Sequence, residues 1–89
     1  MAERELTISN KLGLHARASA KLVQLASRYK AAVFISARGR EVNAKSIMGL
    51  MLLAAPKGTP IKLRTDGEDA DAALAAAVDL FERKFDEGE

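Results

Sequence analysis

Alternating apolar and polar residues near the start of the chain predict a β-strand. Leu6 and Ile8 share one face of residues 4–9, as every second side chain of a strand does. The pattern then changes to helical spacing, with apolar residues three or four positions apart from about Ala16 to about Tyr29. This spacing places them in one stripe, so we expect an amphipathic helix after the first strand.

The middle of the chain alternates again and predicts a β-hairpin. Residues 32–37 are rich in β-branched and aromatic side chains, which favour strands. Arg38-Gly39 then turns the chain into residues 40–44. Asparagine would suit the first turn position better than Arg38 does, so the pattern leaves the turn type open.

The segment after the hairpin predicts a helix that is apolar on nearly every side. Ser46 is a natural N-cap, and residues 47–53 are apolar except for one glycine. A small domain has little interior in which to bury such a helix completely. We therefore expect one side to pack on the sheet and the other to form an exposed docking patch, with complete burial as the alternative.

The last third of the chain predicts one more strand and one more helix. Residues 56–60 form a loop, residues 61–65 alternate, and residues 66–69 turn the chain and place carboxylates at a helix start. The predicted helix has one apolar stripe, formed by Ala70, Leu74, Ala77, Val78, Phe81 and Phe85. The resulting order, βαββαβα, predicts an α+β two-layer sandwich in a single domain spanning 1–89.

Composition narrows the possible chemistry. The chain has no cysteine and one histidine, which argues against disulfides and a zinc site and is compatible with a reducing cytoplasm. The charged N-terminal residues do not resemble a secretion signal, and the longest apolar run is too short for a bilayer. Residues 1–65 carry 12 basic and 3 acidic side chains, which suggests an acidic partner. The acidic final helix is interpreted as a solvated face.

The candidate chemistry lies at the junction between the first strand and the first helix. His15 follows Gly13 by two residues and precedes Arg17 by two. A helix N-terminus offers free N–H groups and favours an anion, so Ala16 and Arg17 could supply donors to a phosphoryl group on the imidazole. The guanidinium of Arg17 would suit phosphate oxygens. A solvated polar cap is the simpler alternative for the same residues.

A small nucleic-acid-binding domain is the rival from another class of function. The basic first part of the chain favours it, but three Phe and one Tyr give no strand with the paired aromatic residues that stack on bases. No cluster of residues supports metal catalysis or acid–base hydrolysis. We therefore expect no nucleic-acid partner, no metal and no cofactor.

Two motifs and the element order resemble HPr, the histidine-containing phosphocarrier family of the bacterial phosphoenolpyruvate-dependent sugar phosphotransferase system. The motifs are Asn10-Lys11-Leu12-Gly13-Leu14-His15-Ala16-Arg17 and Asn43-Ala44-Lys45-Ser46-Ile47-Met48-Gly49-Leu50, with Lys57-Gly58 as a further match. The resemblance implies an HPr-like open-faced sandwich with an antiparallel sheet in the order 1-4-2-3 and the helices on one face. It also implies a phosphoryl carrier with no enzymatic turnover of its own. We further expect a cytoplasmic monomer with no membrane insertion.

The resemblance further implies a relay. Nδ1 of His15 would accept a phosphoryl group from phosphorylated enzyme I and pass it to enzyme IIA components, with Arg17 stabilising the phosphate. Ser46 matches a regulatory serine that is phosphorylated by HPr kinase/phosphorylase. The surface for these partners is expected to comprise Lys11, Lys21, Lys45, Ile47, Met48 and Met51.

One position departs from the family pattern. Ala18 stands where most members have proline in the first turn of the helix, so the rigidity of the phosphate site is in question. The nitrogen-related sister branch shares residues 10–13 and the residues at 85–87, and a mainly regulatory carrier is therefore the alternative function. The segment 45–49 favours the sugar-transport branch.

Overall fold

Strands and helices follow one another in the predicted order βαββαβα. The computed structural model describes residues 1–87, so the last two residues of the predicted domain, 88–89, lie outside the described range. The elements are β1 (Ala2–Thr7), α1 (Ala16–Ala26), β2 (Ala32–Ala37), β3 (Arg40–Asn43), α2 (Ile47–Leu53), β4 (Pro60–Asp66) and α3 (Ala70–Glu82), followed by a 3₁₀ turn (Lys84–Asp86).

The sheet is antiparallel with the strand order β1-β4-β2-β3, which confirms the predicted open-faced sandwich. Leu6 pairs with Ile61, and Ile35 lies between Val42 and Leu63. These side chains lie on one face of the sheet, because alternate residues of a strand point to the same side. The helices pack on that face. The largest fully buried apolar side chains are those of Phe85, Ile8, Leu22, Ile35, Leu50, Leu63 and Val33.

The hairpin between β2 and β3 has a type I′ turn. Both central residues have positive φ, at 52° for Arg38 and 81° for Gly39, as this turn requires. The side chain of Arg38 donates a hydrogen bond to the carbonyl of Leu53. That contact ties the turn to the end of α2 and helps hold Arg38 in a conformation that asparagine or glycine adopts more readily.

Strand β1 begins and ends two residues earlier than residues 4–9. Ala2 and Glu3 pair with the end of β4, which is long enough to extend the ladder to the start of the chain. Ile8 is beyond the strand, yet its N–H donates to the carbonyl of Thr59 at 3.0 Å. Its side chain is buried, so the predicted inward face of Leu6 and Ile8 is confirmed.

Helix α1 ends at Ala26, three residues before the predicted Tyr29. The hydrogen bonds change here to the tighter i→i−3 pattern, with the N–H of Arg28 donating to Leu25 and that of Tyr29 donating to Ala26. Tyr29 still packs against the core. Because Tyr29 faces the core, it fits the helical spacing of apolar residues although it lies past the true end of the helix.

Phe85 was wrongly assigned to the last helix. Helix α3 ends at Glu82, and Lys84, Phe85 and Asp86 all have positive φ. The Phe85 side chain is nevertheless fully buried and meets the ring of Phe81 edge to face at 4.8 Å. The longest helix among residues 1–87 has 13 residues, and no helix there offers the 18-residue apolar stretch of a membrane span.

Candidate functional site

The loop before His15 is built around Gly13. This residue has φ of 64°, and a Cβ at this position would lie 2.4 Å from the carbonyl oxygen of Ala55. Positive φ and the close approach of another backbone both require glycine. The next residue, Leu14, donates its N–H to that same carbonyl at 2.9 Å. The loop is therefore fixed against the segment that follows α2.

The buried side chain of Asn10 also stabilises this loop. Its Nδ2 atom donates to the carbonyl of Gly13 at 2.8 Å. The N–H of His15 donates to that carbonyl as well, at 2.9 Å. These bonds fix the backbone on the N-terminal side of the imidazole.

His15 occupies the N-cap position of α1. Its backbone is extended, with φ −78° and ψ 179°, and its carbonyl accepts the first helical hydrogen bond from Ser19. The N–H groups of Ala16, Arg17 and Ala18 donate to no acceptor within residues 1–87. The positive end of the helix macrodipole and three available donors thus lie beside the imidazole.

Arg17 lies on the exposed side of this helix start. Its guanidinium forms no hydrogen bond or ion pair within the part of the chain that the structure describes. It lines an open cleft of about 740 Å³ with residues from the loop, from α1 and from the C-terminal turn. The lining residues are Lys11, Leu12, His15, Ala16, Arg17, Lys21, Asp86 and Glu87.

A carboxylate from the other end of the chain contacts the imidazole. Glu87 Oε2 is hydrogen-bonded to Nε2 of His15, and Glu87 Oε1 accepts from Nδ2 of Asn10 at 3.1 Å. Desolvation of the carboxylate is the largest influence on its pKa and raises it. The hydrogen bonds from His15 and Asn10, together with the charges of His15 and Lys21, outweigh it, so the pKa of Glu87 is lowered and the side chain is anionic at neutral pH.

The imidazole of His15 is half-buried by this contact. Only 27% of its side chain is exposed, because Glu87 covers the Nε2 edge of the ring. The acidic final helix is interpreted from the sequence as a solvated face, but Glu87, which follows that helix, is turned inward and has only 15% of its side chain exposed.

The C-terminal turn presents Glu87 to His15. Three successive residues with positive φ reverse the chain after α3, and the buried Phe85 anchors them in the core. The ammonium of Lys21, on α1, donates to the carbonyl of Phe85 at 2.7 Å. Helix α1 therefore holds both the histidine and the segment that carries its carboxylate partner.

Ser46 is the N-cap of α2, as predicted. Its hydroxyl accepts the N–H of Gly49 at 3.2 Å, which satisfies one of the free donors at the helix start. Leu50 and Leu53 are buried on α1 and the sheet. The opposite side is exposed, with Met48 at 73%, so complete burial of the helix is excluded. The large exposed side chains on α2 are Ile47, Met48, Met51 and Leu52.

Two of the lysines expected to meet partners also bind within the chain. Lys21 reaches Phe85 as described, and the ammonium of Lys45 donates to the carbonyl of Tyr29 at 2.9 Å. Both acceptors are neutral backbone carbonyls, so neither of these contacts is an ion pair. Lys11 lies exposed on the rim of the cleft.

Sequence reasoning missed the contact of Glu87 with His15 and the side-chain hydrogen bonds of Asn10. Seventy-two positions separate Glu87 from His15, and no local pattern indicates that they meet. Asn10 was recognised only as part of a motif. Across residues 1–87, no three His, Cys, Asp or Glu side chains are grouped so as to hold a metal ion.

Sheet order, helix placement and the cleft define a small open-faced sandwich protein with a histidine at the N-terminus of its first helix. A family model described as "PTS HPr component phosphorylation site" matches residues 2–83. The chain belongs to the HPr family, the phosphocarrier proteins of the phosphotransferase system.

Relatives match along nearly the whole chain. A phosphocarrier protein HPr from Xylella fastidiosa (strain Temecula1) is 60% identical, with 98% of both chains covered. A phosphocarrier protein NPr from Shewanella violacea is 48% identical over 96% of this chain and 93% of its own. The crystal structure of HPr-C-His from Thermoanaerobacter tengcongensis matches with a TM-score of 0.94 at 45% identity, covering 98% of both chains.

Proposed function

We propose that Nδ1 of His15 accepts a phosphoryl group from a phosphohistidine of enzyme I and donates it to enzyme IIA components. The observation that carries this proposal is the position of the imidazole at the start of α1. The N–H groups beside it donate to no acceptor within residues 1–87, and the Arg17 guanidinium forms no hydrogen bond or ion pair within the same residues. Phosphoryl transfer depends mainly on positioning and on stabilising charge over the phosphate oxygens. The donors of Ala16 and Arg17 supply both.

The same geometry suits a carrier rather than an enzyme. The cleft is open, so a phosphate held there stays accessible to the next acceptor. The chain supplies one reacting group and depends on its partners for the rest of each reaction. We propose that it has no turnover of its own and works in the cytoplasm as a monomer.

The proposed partner surface combines apolar and basic residues. Ile47, Met48 and Met51 form its exposed apolar centre, and methionines adapt to differently shaped partners. Lys11, Lys21 and Lys45 would steer acidic surfaces of enzyme I and enzyme IIA. Ser46 borders this centre and is the proposed substrate of HPr kinase/phosphorylase.

A nitrogen-related carrier with a mainly regulatory role is the second candidate. It is favoured by the 48% identity to a protein named NPr. Transfer from phosphorylated His15 to a sugar-specific enzyme IIA would support the sugar-transport role. Transfer confined to nitrogen-related components would support the regulatory role.

Labelling from phosphoenolpyruvate tests the central step. Incubation with enzyme I and labelled phosphoenolpyruvate should introduce one phosphoryl group per chain, labile in acid and stable in base. His15→Ala should keep the fold, because the His15 side chain is not among the buried core residues, and should take up no label. Acid-labile label on that variant would contradict the assignment.

A further inference from the structure

We propose that the turn between β2 and β3 adds a second basic site to the partner surface, formed by Arg38 and Arg40 with the exposed Leu52 beside them, and that carboxylates of enzyme I bind there. These three residues are the hairpin anchor. The inference rests on the proposed function, because it extends the surface that would dock enzyme I beyond its three lysines and the apolar centre on α2.

Two arginines and two leucines line a cleft between the hairpin and the end of α2. The cleft has a volume of about 250 Å³, and Arg38 and Arg40 meet Leu52 and Leu53 there. Strand alternation explains the direction of Arg40. Val42, two residues further along β3, packs against the core, so Arg40 also points to the helix side of the sheet. Basic and apolar side chains therefore share one opening.

Neither guanidinium has an ion-pair partner in the part of the chain that the structure describes. Arg40 forms no hydrogen bond there through its side chain, and the Arg38 side chain donates only to the carbonyl of Leu53. That carbonyl is neutral, and a guanidinium has five N–H donors. Two positive charges without counter-charges, and most of their donors, are therefore available to a partner.

The acids near the hairpin face the other side of the sheet. Glu41 follows Arg40 directly and points to the outer face, where its carboxylate oxygens accept from Arg64 at 2.9 and 3.2 Å. Glu5 lies on the same outer face, opposite Lys62 in the strand pairing. The helix side of the hairpin is thus left basic, and this excess of positive charge favours an acidic partner.

The hairpin anchor is continuous with the apolar centre of the proposed partner surface. Leu52 is 69% exposed and follows the exposed Met48 by four residues, so the two side chains are neighbours on one side of α2. Leu52 also lines the cleft that contains the arginines. A protein that packs on Met48 and extends over Leu52 therefore meets both guanidiniums at the rim of its contact.

The segment after α2 connects the hairpin anchor to the loop before His15. Arg38 donates to the carbonyl of Leu53, and two residues later the carbonyl of Ala55 accepts the N–H of Leu14 at 2.9 Å. Leu14 directly precedes the reacting histidine. The hairpin and the histidine thus lie on two sides of one short segment, and a typical interface covers about 800 Å² on each partner. One docked protein can cover both.

The chemistry of the cleft fits an acidic protein better than a nucleic acid. Guanidiniums bind phosphates as well as carboxylates. A phosphate backbone, however, offers nothing to the exposed Leu52 and Met48, whereas protein interfaces combine an apolar centre with a polar rim. Both candidate functions require enzyme I as the phosphoryl donor, so its carboxylates are the proposed occupants of the cleft.

Amide NMR tests the position of the interface without phosphoryl transfer. Unphosphorylated enzyme I, added to the ¹⁵N-labelled chain, should shift or broaden the signals of Arg40 and Leu52 together with that of Met48. The signal of Arg4, on the β1 edge, should not change. A response at Met48 without one at Arg40 and Leu52 would confine the interface to α2 and overturn the inference. Signals that respond to single-stranded DNA and not to enzyme I would assign the cleft to nucleic acid and overturn it as well.

Stopped-flow transfer from phosphorylated enzyme I tests the contribution of the charge. Below saturation and at low salt, Arg40→Glu should be phosphorylated roughly tenfold more slowly than the wild type, because attraction at the rim becomes repulsion. The loss should appear in the half-saturating donor concentration and should shrink as salt rises. Arg4→Glu is the matched control, since Arg4 is exposed beside Glu82 of α3 at 3.9 Å. It should stay within about twofold of the wild type, because charges far from an interface are largely screened.

The outcomes separate this inference from the proposed function. Failure of enzyme I to label the wild type would reject the function of His15 and the hairpin anchor together. Normal labelling of the wild type, with equal rates for Arg40→Glu and Arg4→Glu at low salt, would leave the function intact and reject the anchor. Both substituted residues are exposed, and thermal melting of the two variants checks that a slower rate does not come from unfolding.

Discussion

At the scale of single residues, a substitution of Arg17 should change phosphoryl transfer without changing the stability of the fold. Its guanidinium is exposed and contacts no hydrogen-bond or charge partner within residues 1–87. Arg17→Lys keeps the charge but replaces a planar fork by a point charge. We expect slower phosphoryl transfer and a melting temperature within about 2–4 °C of the wild type, because surface changes of this kind alter stability by no more than about 0.5 kcal/mol.

The control for Arg17 is the same exchange at Arg28, which is exposed just after α1. Stopped-flow transfer from enzyme I to both variants, together with thermal melting, makes the comparison. Matching transfer rates for Arg17→Lys and Arg28→Lys would show that Arg17 is ordinary surface charge.

Asp69 joins two elements through its carboxylate. It accepts the N–H groups of Lys30 at 3.0 Å and Ala31 at 2.7 Å, so it links the end of the α1–β2 connection to the start of α3. The N–H of Lys30 is the largest influence on its pKa, followed by opposing desolvation and the N–H of Ala31. The pKa of Asp69 is lowered overall.

A lowered carboxyl pKa has a defined effect on stability. The unfolded chain binds the proton more readily, so the stabilisation is present above the unfolded pKa of about 3.9 and is lost as pH falls through the folded value. Asp69→Asn should therefore melt below the wild type at pH 7, and the gap should close in more acidic buffer. Glu68→Gln, a neighbouring exposed acid, should show no such gap in melting curves recorded across pH.

Local sequence was sufficient for some site residues and not for others. His15, Arg17 and Ser46 are placed by their positions at helix starts, where the periodic pattern marks the boundary and capping chemistry is short-range. The contact of Glu87 with His15 requires the complete fold, because the sheet and α3 must first bring the C-terminal turn to α1. The half-burial of the imidazole could not be predicted for the same reason.

At the scale of elements, the first turn of α1 can accommodate a proline at Ala18. Ala18 is the third residue of the helix, and its N–H donates to no acceptor within residues 1–87. Proline here would lose no hydrogen bond and would restrict the unfolded chain, adding about 0.4–1 kcal/mol of stability. Ala18→Pro should therefore melt at a higher temperature and still carry the phosphoryl group.

The matched control lies two positions later. Ala20 has its N–H inside the helical ladder, so Ala20→Pro should cost about 3 kcal/mol or more. Calorimetry of both variants gives the comparison. A destabilised Ala18→Pro would mean that the proline ring does not fit around this fully buried position.

Element ends were the weakest part of the sequence prediction, and two aromatic residues explain why. Tyr29 and Phe85 both continue an apolar stripe and both contact the core, but neither lies in an α-helix. A side chain is buried when it points into the core, and a residue in a tightened or left-handed turn can point there as well as a residue in a helix. The hairpin and β4 were placed within one residue at each end, since short alternating strands bounded by turn residues leave less room for error.

At the scale of the whole molecule, charge separates into a basic surface around the cleft and an acidic C-terminal part. Residues 66–89 carry 9 acidic and 2 basic side chains, and Glu87 is turned back into the basic region by the C-terminal turn. The acidic part therefore contributes to the site and does not only face solvent. A negative charge at Ser46 would act next to Lys45, at the start of α2.

A charge at Ser46 should change the approach of a partner more than it changes the fold. Aspartate is itself a good N-cap and sits at the positive end of α2, so Ser46→Asp should stay folded. Its charge lies beside Lys45, Ile47 and Met48, where an acidic enzyme I surface would dock. We expect transfer from enzyme I to slow by roughly three- to tenfold at low salt, through slower association.

Ionic strength and a neutral variant distinguish this effect from loss of the cap. Added salt screens the repulsion, so the rate deficit of Ser46→Asp should shrink as salt rises. Ser46→Ala removes the acceptor of the Gly49 N–H and should lose about 0.5–2 kcal/mol of stability while accepting phosphate at the wild-type rate. A Ser46→Asp protein that matches the wild type at low salt would leave Ser46 with only its capping role, because the added charge would then have no partner surface to repel.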